Sequence, residues 1–180
     1  MHALVIYESM YGNTHALAEA IGRGLGTRWT ASIVPVAHAD EQNLAAFDLV
    51  VVGGPTHVHG MSRDSTRHAA ADAAATADST LNLDPDAAGV GVRDWLHGLS
   101  AQSGIAAAFD TRVDAPALVT GRASKGIAHL LERVGFELAL PAQSFLVTKE
   151  TLLALGEIER AEAWGSALGA LVPLSGAHRG

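Results

Sequence analysis

Two short stretches carry the residues that could do chemistry. The first is Ser9-Met10-Tyr11-Gly12-Asn13-Thr14, in which hydroxyls, an amide and a glycine follow one another. It sits between an apolar run, Ala3-Leu4-Val5-Ile6-Tyr7, and His15–Ile21, whose apolar residues have helical spacing. A tight strand-to-helix turn of this kind points backbone N–H groups and hydroxyls at one anion, with the positive end of the helix dipole behind them. No lysine or arginine lies in the stretch, so an anion there would be held by neutral donors. The second stretch is Gly53-Gly54-Pro55-Thr56-His57-Val58-His59-Gly60-Met61-Ser62. Its glycines let backbone approach a ligand closely, and its proline stiffens the exit from the preceding strand. An ordinary β-to-α turn would use the same residues. What raises the second stretch above that is matching ligand chemistry in the first.

Elements that alternate along the chain must position these loops. Strands are expected at Ala3–Tyr7, Ala31–Val36, Asp48–Gly54, Ile105–Phe109 and within Glu137–Val147. Pro35 pushes the second towards a sheet edge, and Pro141 interrupts the fifth. The β-branched run from Val50 to Val52 reads as a strand buried on both faces of a parallel sheet. Helices are expected over Ser62–Ala77, over Val90–Leu99 with Trp95, and over Ser124–Val134, with Asp84-Pro85-Asp86 as a turn. Ile127, Leu130, Leu131 and Val134 make one core-facing stripe, and Ile158, Ala161, Trp164, Leu168 and Leu171 make another. Ser175–Gly180 reads as a frayed tail after one domain, 1–174. The alternation predicts an α/β fold: a doubly wound five-stranded parallel sheet with helices on both faces and its first, third and fourth strands central. Ligands of such sheets bind at the carboxyl ends of strands near the topological switch point, which singles out the loops after Tyr7, Gly54 and Phe109.

Composition excludes several classes. The chain has 180 residues, is 48% hydrophobic and has a formal net charge of −7, which disfavours a nucleic-acid partner. It has no cysteine, which removes disulfides, thiolate catalysis and iron–sulfur ligation by its own thiols. The N-terminal apolar run stops at Glu8 without a basic flank, and no run reaches the ~20 residues that span a bilayer. A soluble, cytoplasmic protein without membrane insertion is the expectation. His57-x-His59 has the right ligand type for a metal but no companion cluster, so no metal site is assigned. Gly22-x-Gly24-x-Gly26 follows a helix rather than a strand and reads as a helix stop. Gly121–Gly126 lacks the order of a P-loop and reads as a helix start, with Ser124 as N-cap. Arg122 and Lys125 there could meet a charged cosubstrate. No Gly-x-Ser-x-Gly nucleophile elbow is present.

Ser9-Met10-Tyr11-Gly12-Asn13-Thr14 resembles the phosphate-binding loop of the flavodoxin family. Gly53-Gly54-Pro55-Thr56-His57 resembles the same family's second flavin loop, and the spacing and strand pattern extend the resemblance to nearly the whole chain. The resemblance implies FMN, with its phosphate on Ser9, Met10, Tyr11, Gly12, Asn13 and Thr14. It also implies an isoalloxazine ring against Pro55, Thr56, His57, Val58, His59 and Gly60 and against Asp110, Thr111 and Arg112 of the third loop. His57 to Gly60 would lie beside the reactive ring edge, with Gly60 free to change backbone orientation. In the third loop, where the family commonly has an aromatic residue and a glycine-rich acidic segment, this chain has Phe109-Asp110-Thr111-Arg112-Val113-Asp114-Ala115-Pro116. The aromatic partner of the ring would then be Tyr11, His57, His59 or Trp95. The function implied is electron transfer through bound flavin to a redox partner protein or a small acceptor such as a quinone. A quinone-reductase-type enzyme fed by NAD(P)H and a flavin-free binding module stand as alternatives.

Overall fold

The computed structural model describes residues 1–57, 60–76 and 81–172. The expected tail at 175–180 lies outside them. The chain begins with β1 (His2–Tyr7), α1 (Asn13–Gly24) and β2 (Thr30–Pro35), followed by two short 3-10 segments and β3 (Leu49–His57). Then come β4 (Gly60–Met61), α2 (Asp64–Ala74), α3 (Val92–Gly98), β5 (Ile105–Val113) and the single turn α4 (Ala117–Thr120). The chain closes with α5 (Ala123–Val134), β6 (Glu137–Leu138), β7 (Gln143–Val147) and α6 (Glu157–Leu171).

The sheet runs β2-β1-β3-β5, with β6 and β7 both following β5 on the far edge. The expected central strands are central and the proline-containing β2 is an edge. Alternation along β1 explains the two layers. Leu4 and Ile6 join Val50, Val52, Trp95, Leu96, Ile127 and Leu131 in one core under α3 and α5. Ala3, Val5 and Tyr7 join Val51, Phe109, Phe145, Leu17, Ile21, Trp164 and Leu168 in the other under α1 and α6. Both faces are therefore covered, as continuous apolar strands require.

Glycines set the spacing of the second layer. A Cβ on Gly24 would lie 2.1 Å from the Glu162 carbonyl oxygen, and one on Gly165 would lie 2.3 Å from that of Ile21. The backbones of α1 and α6 thus approach more closely than any side chain permits. Gly26, with φ +84°, ends the first helical segment as the glycine series suggested.

The expected five-stranded parallel sheet is present as β2-β1-β3-β5-β6, and β7 and the short antiparallel β4 bring the strands to seven among the described residues. Three expectations are corrected. The fifth strand is broken into β6 and β7, since the segment around Pro141 leaves the ladder. The third and fourth strands run on beyond Gly54 and Phe109, because they pair with each other through Pro55↔Thr111 and β5 pairs with β7 through Val147. Past Gly53 the β1 partner has ended, so a residue without an N–H is tolerated at Pro55. Leu171, assigned to the buried stripe of the last helix, is 54% exposed.

The free edge of β7 is closed by side chains. Glu157 accepts the Leu146 N–H at 2.8 Å, while Arg160 donates to the Ser144 carbonyl at 2.6 Å and pairs with Glu157. An ion pair at the start of α6 thereby occupies groups on which another strand could add.

Candidate functional site

The first loop leaves β1 at Glu8 and enters α1 through Gly12. Gly12 holds φ +84°, a left-handed conformation in which a side chain is strained, and no side chain caps the helix. The first-turn N–H groups of α1 therefore lack intrahelical and side-chain partners. Ser9 Oγ accepts the Gly12 N–H at 3.0 Å, which leaves the serine proton free to donate. Thr14, almost fully buried, shares a hydrogen bond with Thr111 of β5, Oγ1 to Oγ1, at 3.1 Å. Asn13 Nδ2 donates to the Thr151 carbonyl at 2.8 Å, and Tyr11 Oη donates to the Ala70 carbonyl of α2 at 3.0 Å. Met10 is buried with Ala70 and Ala87 beneath the loop, and its carbonyl accepts the Asp84 N–H at 2.8 Å. The expected turn at Asp84 is thus part of the loop's support.

These residues form one wall of a cleft at the C-terminal ends of β1, β3, β5 and β7, beside the β1/β3 switch point. Its empty space is about 620 Å³, open mouth included. Ser9, Met10, Tyr11, Asn13, Thr14, Pro55, Thr56, His57, Thr111 and Arg112 line it. Val113, Val147, Thr148 and Thr151 also line it and were not anticipated. Six of the lining residues carry aliphatic hydroxyls (Ser9, Thr14, Thr56, Thr111, Thr148, Thr151), and among the described residues none of the lining carries a carboxylate. Thr56 spends its proton on Asp110, and one of Thr14 and Thr111 spends its own on the other, which leaves Ser9, one of that pair, Thr148 and Thr151 to meet an anion with several oxygens. One guanidinium, Arg112, adds a cation that the first loop lacks, although it is tied back to the Ala115 carbonyl at 2.5 Å.

Thr148 and Thr151 come from the loop after β7. Thr151 holds φ +64°, alone among the described non-glycine residues in being left-handed. That backbone presents its carbonyl to Asn13 and closes the cleft opposite α1. The sequence signal was weak: two threonines after an expected strand, with no glycine at the strained position.

The remaining implied residues are placed differently. Gly60 is extended in β4, paired with His57, and lines a neighbouring pocket rather than the cleft. Val58 and His59 lie outside the described residues. Asp110 is moved out of the site altogether, because it falls inside β5 and is fully buried. Its Oδ2 accepts the Thr56 hydroxyl at 3.1 Å and the Ser124 N–H at 2.7 Å. Thr56 Oγ1 in turn accepts the Ala123 N–H at 2.9 Å. Helix α5 is therefore capped from the sheet, by Asp110 and Thr56, and Ser124 is not its N-cap. Of the aromatic candidates, Trp95 is buried in the core away from the cleft, Tyr11 and His57 line it, and His59 is not among the described residues. Burial pushes the His57 imidazole pKa down, and its Nε2 is sealed from solvent without a hydrogen-bond partner.

Beneath the two loops lies a buried polar knot that the sequence did not reveal. Glu8, 4% exposed, accepts the Ser62 hydroxyl and the Val92 N–H (2.8 Å). Arg67, equally buried, donates to Ser62 Oγ at 3.4 Å and pairs with Asp94 at 3.1 Å. Glu8 thus ties the entry of the first loop to the exit of the second and to α3. Desolvation raises its pKa, against the lowering effect of Ser62, Val92 and Arg67.

A doubly wound sheet with hydroxyl-lined loops at its switch point defines a flavodoxin-like α/β protein. Residues 5–104, more than half the chain, match the family described as Flavodoxin, and the chain belongs to the flavodoxin family. Solved structures agree on the fold. A flavodoxin from the domain Archaea is 20% identical, with TM-score 0.61, over 96% of this chain and 99% of that one. Oxidised Flavodoxin 2 from Bacillus cereus is 18% identical, with TM-score 0.64, over 94% and 99%. The flavodoxin, WrbA-like protein from Agrobacterium tumefaciens is 18% identical, with TM-score 0.55, over 95% and 96%. A search of curated proteins found no match. Among the described residues no helix is long and apolar enough to cross a membrane.

Proposed function

We propose that this chain binds FMN in the cleft and passes electrons through it to a redox partner protein or a small acceptor such as a quinone. The observation that supports this most is the cleft itself: an uncapped helix N-terminus facing hydroxyls, without a carboxylate in the lining. A phosphate monoester supplies the negative charge and the acceptor oxygens that such a lining lacks. The flavin would supply the redox chemistry, and the protein binding, orientation and electrostatics.

In this reading Ser9 donates to the phosphate with the proton left free by its contact to Gly12. Thr14 and the first-turn N–H groups of α1 complete the cradle, and Thr148 and Thr151 close it from the β7 side. Tyr11 and His57 flank the ring, the former held by its bond to Ala70. Pro55 and Thr56 carry the wall between them and are fixed by the β3–β5 ladder. No acid, base or nucleophile of the protein is required.

The test is a pair of titrations on Ser9→Ala/Thr14→Ala. Each hydrogen bond lost to a charged group is worth about 1.5–3 kcal/mol. FMN binding should weaken by at least about a hundredfold while riboflavin binding changes little. Equal losses for the two flavins would remove the phosphate assignment. A purified protein that takes up no FMN would remove the whole reading.

A further inference from the structure

We propose that the open pocket on the other side of His57 binds the carboxylate or phosphate group of a small anionic cosubstrate. The inference rests on the flavin reading, because the pocket gains its use from sharing a wall with the cleft. His57 lines both spaces. The pocket offers about 880 Å³, open mouth included, between the β3–β4 hairpin, the start of α2 and the start of α3.

Its charge is the reverse of the chain's. Acidic residues outnumber lysine and arginine by 19 to 12, yet Arg63 and Arg93 line this pocket and, among the described residues, no carboxylate does. Arg93 is pre-positioned. Its Nε donates to the Ser62 carbonyl at 3.1 Å and one terminal nitrogen donates to that of Met61 at 2.8 Å. A guanidinium has five N–H donors, so part of the fork remains for a ligand. Arg63 is exposed, and its side chain makes no ion pair among the described residues. Its backbone N–H is held by Thr66 Oγ1 at 2.8 Å, which fixes it at the entrance to α2. Of the acids next to these arginines in the chain, Asp64 lies 3.5 Å from Arg67 and from His68, and Asp94 pairs with Arg67 at 3.1 Å. Two fixed or free guanidiniums, a hydroxyl-bearing helix start and no competing carboxylate recognise an oxyanion.

That oxyanion could come from the phosphates of a nicotinamide nucleotide or from an acceptor that carries a carboxylate. Calorimetric titration of the FMN-loaded protein separates them, with inorganic pyrophosphate, 2′,5′-ADP and a carboxylated naphthoquinone as probes. Pyrophosphate should bind, and the tighter of the two organic probes identifies the source. Arg63→Gln should weaken binding about tenfold or more, and Arg63→Lys should restore most of it. FMN affinity should be the same in all three proteins. Absence of binding by every probe, or binding indifferent to Arg63→Gln, overturns the proposal. Uptake of FMN is measured on the same samples. A wild type that takes up no FMN but binds anions through Arg63 removes the flavin reading and keeps the anion site. Normal FMN uptake with indifference to Arg63 does the reverse.

Discussion

Asp110 is the residue whose replacement most directly tests how the cleft is held. It is fully buried, and its Oδ2 serves the Thr56 hydroxyl (3.1 Å) and the Ser124 N–H (2.7 Å) while Oδ1 has no partner. In Asp110→Ala the Ser124 N–H is left inside the protein without an acceptor, at a cost of about 1–3 kcal/mol. The Thr56 hydroxyl loses its acceptor as well, worth about 0.5–1.5 kcal/mol. Removal of an incompletely paired buried charge offsets part of this. The expected loss is then about 2–4 kcal/mol. Asp110→Asn keeps an oxygen for Ser124 and the volume of the side chain; it gives up the charge that faces the positive end of α5, about 0.3–1 kcal/mol, and sets its amide N–H groups where Oδ1 had no partner, about 1 kcal/mol more. The assay is urea unfolding. With a slope of about 2 kcal/mol per molar, the alanine variant should unfold about 1–2 M earlier and the asparagine variant about 0.5–1 M earlier than wild type. FMN affinity should follow the same order, because Thr56 lines the cleft and loses its anchor. An asparagine variant as damaged as the alanine one would refute the reasoning, by showing that the charge and not the acceptor is what α5 needs.

Two other predictions concern stability. Gly165→Ala places a methyl group 2.3 Å from the Ile21 carbonyl oxygen, so α1 and α6 must part, at a cost of about 1–3 kcal/mol. Gly98→Ala, with nothing within 4 Å, should be neutral or slightly stabilising, and similar melting temperatures for the two variants would contradict the close-approach account. Glu8 has a raised pKa in the folded state, so its contribution to stability is full below its ordinary value of 4.5 and is lost as pH rises through the folded value. Glu8→Gln should therefore remove a decline in stability on the alkaline side of pH 4.5. Unfolding midpoints of the two proteins from pH 4 to pH 8 should converge or cross, and curves that stay parallel would count against a buried titrating Glu8.

The polar knot around Glu8 and the capping of α5 give the site a common logic. Two of the loops at the cleft are tied by a buried carboxylate to elements distant in the chain, in addition to their own turns. Glu8 joins the first loop to Ser62 and Val92, and Asp110 joins β3 and β5 to α5. Preorganisation of this kind keeps donors aimed where a ligand's charge will sit.

Local pattern was enough for part of this. The apolar runs of β1 and β3 announce burial on both faces by themselves, because no solvent-facing alternation interrupts them. Gly12 and the residues around it announce the turn from β1 into α1, because a strand, a tight turn and a helix start can be recognised within a few residues. Pro35 marks an edge for the equally local reason that it has no N–H to give. Tertiary structure alone decided the rest. Strands β3 and β5 run past Gly54 and Phe109 because they pair with each other through Pro55↔Thr111, residues far apart in the chain, and β5 reaches Val113 because β7 lies against it. Asp110, which reads as a loop acid, is a buried cap for a helix that starts thirteen residues later. Thr148 and Thr151 enter the cleft only because β7 lies against β5. Those outcomes depend on which strand becomes whose neighbour, and neighbours in a sheet are chosen by burial and register across the whole chain, not by the residues on either side.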